Sequence, residues 1–224
     1  MRFPAIFIGV LISSPISAPS AQAAAPIVEV AYSPGFDSLC SLFRAGSIND
    51  EWKAELQSRQ HEFEEIWKTL GPKMIEATQK ITKKSFPDQN VTARLTLCEV
   101  PSESYFGILI NMRYALKSFT PTPVPVSYKV NILFHELLHQ YFERNPINNS
   151  ALLKQFGSEP ERTRSHLHLL ALQKAVLLQL NETELLKNQI AIDSQLPGGY
   201  YKRAWEIVNA SDAAYLDYIE EISH

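Results

Sequence analysis

The chain has 224 residues and a formal net charge of −3, from 21 Lys and Arg against 24 Asp and Glu. Acids and bases are mixed along it, so charge gives no reason to expect nucleic acid or an anionic membrane as a partner. The length fits one domain with a full core, and the apolar and charged contents are ordinary for a globular protein.

Residues 1–23 read as a signal peptide. Met1-Arg2 supplies a positive start, residues 3–12 are almost wholly apolar, and Ala21-Gln22-Ala23 is a small-x-small cleavage pattern. The apolar run is too short to stay as a membrane-spanning helix. The expectation is therefore export, to the periplasm or the extracellular space, with no stable membrane insertion after cleavage. Cys40 and Cys98 are the only two cysteines. In an oxidising compartment they can pair, and without CxxC spacing they are not a zinc-thiolate site.

Residues 24–47 read as an irregular N-terminal segment with a turn at Pro34-Gly35. Residues 48–224 read as a single domain. Asn49 offers an N-cap, and Trp52, Leu56, Phe63, Ile66, Trp67 and Leu70 are spaced for one helix face. Gly71-Pro72 is expected to end that helix, and residues 74–84 to form a second. Residues 91–100 alternate as a strand does, and residues 106–116 read as a second strand. Pro121, Pro123 and Pro125 mark an extended linker. The remainder is helical: 127–143, 149–156, 160–180, a helix from 183, then 200–209 and 212–222 after the Pro197-Gly198-Gly199 break. The order is helices, a small sheet, then helices, which is α+β and mainly helical.

The chemically informative stretch is His135-Glu136-Leu137-Leu138-His139. Histidines four apart lie one above the other on a helix, so both imidazoles can grip one ion from the same side. Glu136 projects at a different angle, toward water carried by the metal. Val130, Ile132, Leu133, Leu137, Leu138 and Phe142 supply the apolar flanks of a buried helix. No P-loop, dinucleotide fingerprint or GxSxG occurs.

An HExxH helix after a small sheet resembles the zincin metallopeptidases over about residues 90–210. Phe142 and Asn145 stand where the metzincin pattern has glycine and histidine, so the resemblance is gluzincin-like. It implies one Zn2+ held by His135 and His139, Glu136 as general base, and a peptide or protein substrate held extended along residues 106–114. A plain core strand is the other reading of that segment. Two rival readings of the whole remain: a catalytically inactive zincin-fold binding protein, and a helical protein without metal.

A catalytic zinc takes three protein ligands and keeps an open position. His168 is the leading third ligand, because the small residues Ala171 and Ala175 share its face and would allow close helix approach. His166 and Glu159 are the alternatives. His166 and His168 are two apart, so both cannot bind one ion. After the glycine break, Tyr201 and Arg203 are candidates to steady an oxyanion; the alternative is that Tyr201 is core and Arg203 surface.

Overall fold

The computed structural model describes residues 25–43, 48–88, 90–105 and 107–224. The signal-like segment, 1–23, lies outside them. The fold is mainly helical α+β with one three-stranded parallel sheet. Among the described residues, no helix is long and apolar enough to cross a membrane.

Residues 24–47 are not irregular throughout. Ile27–Tyr32 forms β1 and Pro34–Phe43 forms α1. Long-range bonds hold this segment. Buried Asp37 on α1 accepts from the Leu97 amide at 3.0 Å and from the Tyr32 hydroxyl at 2.9 Å, and it also binds the Thr96 hydroxyl. Cys40 and Cys98 are disulfide-bonded, their Cα atoms 5.8 Å apart across 58 residues of sequence.

The next helix, α2, runs unbroken over Asp50–Thr82. Asn49 caps it, its side chain accepting from the Trp52 amide at 2.8 Å. The expected break at Gly71-Pro72 does not occur. Pro72 faces solvent, where a missing N–H leaves no buried carbonyl stranded, and Met74, Ile75 and Thr78 are packed in the core just beyond it. Gly71 is required because the Trp67 ring lies where its Cβ would be, 2.5 Å away.

Strand β2 is Asn90–Thr96 and β3 is Ile108–Asn111, both shorter than the sequence suggests. The sheet order is β1-β2-β3. Beyond β3 the chain turns into a 3-10 helix, Arg113–Ala115. The outer edge of β3 is covered by the chain's own preceding segment. Glu103 and Leu109 exchange both backbone bonds, at 3.0 and 2.9 Å, and the Asn111 amide donates to the Ser102 hydroxyl at 3.1 Å. The reading of 106–114 as an open substrate strand is corrected accordingly, with Phe106 outside the described residues.

Helix α3, Val126–Arg144, carries the HExxH residues and packs against α2, β3, α5 and a later helix. Tyr128, Val130, Leu133, Phe134, Leu137, Leu138 and Tyr141 bury nearly its whole circumference, as expected of a central helix. Asn145 stops it, its side chain donating to the Tyr141 carbonyl at 3.0 Å. Then follow α4 (Ala151–Gln155), α5 (Glu161–Gln179), α6 (Thr183–Asp193), α7 (Tyr200–Val208) and α8 (Ala214–Ser223). Helix α5 lies against α2, α3, α6, α7 and α8, so the two histidine-bearing helices meet in the middle of the protein.

Replacing both Cys40 and Cys98 with serine should lower unfolding free energy by about 2–4 kcal/mol, because the bond closes a long loop of the unfolded chain. Urea titration checks this. An unchanged midpoint would mean that Asp37 alone anchors α1.

Candidate metal centre

Three helices build the site. Helix α3 supplies His135, Glu136 and His139, α5 supplies His166, and α7 supplies Tyr201. The ligating atoms of His135, His139 and His166 all lie within 4.8 Å of one another. The Nε2 atoms of His135 and His139 are 3.2 Å apart. Two nitrogens bound tetrahedrally at zinc distances are separated by about 3.3 Å, so this pair is already at the spacing of a shared ion. The group can hold a metal ion.

Hydrogen bonds fix which nitrogen of each ring faces the centre. Gln173 donates from Nε2 to the Asn131 carbonyl at 3.3 Å, which turns its Oε1 toward His135 Nδ1 at 3.2 Å. The Nδ1 proton of His135 is thereby assigned, and its Nε2 lone pair faces inward. His166 Nδ1 donates to the Arg162 carbonyl at 2.6 Å, leaving its Nε2 inward as well. Burial lowers the pKa of all three histidines, His139 to about 4, and the neighbouring imidazoles lower those of His135 and His139 further. Neutral imidazole is the form that ligates metal.

A line of buried polar groups continues from Gln173. Asn131 Nδ2 donates to Gln189 Oε1 at 3.0 Å, and Gln189 Nε2 donates to Asp193 at 2.8 Å. Asp193 also accepts from Trp205 Nε1 at 2.9 Å and from the Tyr128 hydroxyl at 3.0 Å. These bonds tie α3, α5, α6 and α7 together behind the histidines. Among the described residues, Asn131 Oδ1 stays without a partner. Sequence reading missed Gln173, and one signal was available. It lies seven residues after His166, two helical turns on, and so shares that histidine's face.

His168, the leading expectation, is not in the cluster. Its Nε2 is 2.8 Å from Glu221, and its ring packs edge-on against Tyr218 of α8. A two-residue step along α5 turns it away from α3. Glu221 also accepts from the Ala151 and Leu152 amides, at 2.9 and 3.1 Å, so His168 belongs to a joint between α4, α5 and α8. The alternative His166 is the third member. Glu159 is excluded too, because Arg203 binds it at 2.6 Å. That ion pair, with Glu206 at 3.5 Å, also places Arg203 on the exposed surface rather than at the centre. Tyr201 does reach the site: its hydroxyl is 3.5 Å from His135 Nε2, and its ring lies 4.7 Å from that of His166.

Glu136 is buried beside the cluster. Burial raises its pKa to about 8, a Ser104 hydrogen bond opposes the shift, and the Glu103 charge adds to it. Burial first, then the Glu136 charge, also raises the Tyr201 hydroxyl. A dication among the histidines would favour the ionised carboxylate. Comparison with protein-family models, curated proteins and solved structures gives no match to this chain.

His166→Ala should abolish stoichiometric metal binding, whereas His168→Ala should retain it and lower only stability; elemental analysis of the purified variants separates the two. Gln173→Leu should weaken metal affinity about 10–100-fold by freeing the His135 ring, as read by competition with a chromogenic chelator. An affinity equal to the parent's would remove Gln173 from the design.

Proposed function

We propose that this chain is an exported zinc-dependent hydrolase, a peptidase of the zincin type acting on a peptide or protein substrate. The observation that carries the reading is the cluster of three neutral imidazoles within 4.8 Å of one another, with a tyrosine hydroxyl 3.5 Å from one of them and the buried Glu136 next in sequence to His135. Three nitrogen ligands suit zinc, and a three-ligand set leaves a position open. Zinc held there supplies Lewis acidity and draws the pKa of water down toward 7.

The chain's own residues do the rest. His135, His139 and His166 would hold the ion, with the first fixed by Gln173 and the last by the Arg162 carbonyl. Glu136, ionised beside the dication, takes a proton from the attacking water onto a carboxylate oxygen and passes it to the leaving amine. The Tyr201 hydroxyl, 3.5 Å from His135 Nε2, would donate to the oxygen that gains charge on the attacked carbonyl. The Cys40–Cys98 disulfide supports an oxidising compartment, and so export.

Glu136→Gln should retain zinc and lose about 10²–10⁴-fold in peptide hydrolysis, the range expected for removing a general base. The check is turnover of a fluorogenic peptide library by zinc-loaded protein. Equal rates for parent and variant would contradict the assignment. Stoichiometric zinc with no turnover by the parent would leave a peptide-binding protein instead.

A further inference from the structure

Lys129 lies on α3 seven residues before Glu136. The two therefore share a helix face and are separated by about two turns, about 10 Å along the axis. Between them on this face, Ile132 is partly buried and Leu133 fully buried.

The environment of Lys129 is unusual for a cation. The residue is 7% exposed. No hydrogen bond or ion pair to its ammonium is found among the described residues. Its nearest polarisable neighbours are the rings of Tyr114 and Tyr128, whose centroids are 6.0 and 5.8 Å from Nζ. Those contacts lie at the outer limit of a cation–π interaction. The enclosed unpaired atoms of the described residues are Asn131 Oδ1, Tyr141 Oη, Thr163 Oγ1 and Arg164 Nε. Lys129 Nζ is not one of them, so its tip still meets solvent. Tyr114 beside it is half exposed. Burial draws the ammonium pKa down to about 8. The Lys129 stem is buried and its tip has only solvent as a partner, so a methionine of the same length would fill the space without the cost of partly desolvating a charge.

We propose that Lys129 binds a carboxylate of the substrate. The inference rests on the peptidase reading and names a recognition element for it. An extended peptide advances about 3.4 Å per residue, so the carboxylate lies about three residues from the bond at Glu136. It is either the C-terminal group of a short peptide or an Asp or Glu side chain within a longer one. The half-exposed Tyr114 ring lies beside the ammonium, and the substrate carboxylate supplies the counter-charge that the fold itself omits.

The test uses the full chain as zinc-loaded Glu136→Gln, with Lys129 intact or changed to Met. Isothermal titration compares three probes: N-acetyl-tetraalanine with a free C-terminus, its C-terminal amide, and the amide carrying one internal Asp. With Lys129 intact, one of the two anionic probes should bind at least about tenfold more tightly than the neutral amide, and Lys129→Met should remove the difference. The free-acid and Asp probes tell the two carboxylate sources apart. Lys129→Met should also melt higher without peptide, which guards against a folding defect. A preference unchanged in Lys129→Met, no preference with Lys129 intact, or no binding of any probe would overturn the proposal. Zinc content and peptide turnover by the zinc-loaded parent report separately on the hydrolase reading: turnover without a carboxylate preference sinks the Lys129 assignment alone, and absent zinc or absent turnover sinks the hydrolase.

Discussion

The crossing of α3 and α5 is the contact on which the rest depends. It brings His135 and His166 face to face at a ring separation of 5.5 Å and sets Gln173 against His135. Leu133, Phe134, Leu137 and Leu138 on one helix, and Leu167, Leu169, Leu170 and Leu177 on the other, bury almost completely around the crossing. That burial is the source of order: side chains in a close-packed core have few alternative rotamers, so the imidazoles are held before any ion arrives.

Holding three imidazoles together has an electrostatic consequence. Each is pushed toward the neutral form by burial, and the Nε2 atoms of His135 and His139 stand 3.2 Å apart. A cation bound there would favour the ionised carboxylate of Glu136. The polar line through Gln173, Asn131, Gln189 and Asp193 backs this arrangement with neutral amides next to the ring. Its carboxylate is kept at the far end, where Trp205 and Tyr128 satisfy it. Glu103, paired with Leu109 of β3, is followed by Ser104, which hydrogen-bonds Glu136.

What could be read in the sequence was local. The HExxH helix, the Asn49 cap, the mainly helical α+β class and the helices after Pro125 all follow from spacing and turn chemistry within one element. The errors came from interactions that spacing does not encode. Segment 24–47 looks irregular because Asp37 and Cys40 are ordered by partners near residues 96–98. Gly71-Pro72 looks like a break, yet tertiary packing on the buried face overrides it. Helix–helix packing favours His168 over His166 in the sequence, but α5 is buried on several faces, so its small residues do not show which side meets α3. The polar Gln173 does. Arg203 sits two residues beyond Tyr201 and is therefore turned to solvent, where Glu159 takes it up.

The chemistry proposed here thus reduces to one geometric statement, that the inward nitrogens of His135, His139 and His166 share an ion and leave a vertex free. X-ray absorption at the zinc edge of protein purified without added metal tests it most directly. The account predicts one zinc per chain, with three imidazole nitrogens at about 2.0–2.1 Å and one further light atom. A sample with no stoichiometric zinc, or a spectrum fitted by fewer than three imidazoles, would contradict it.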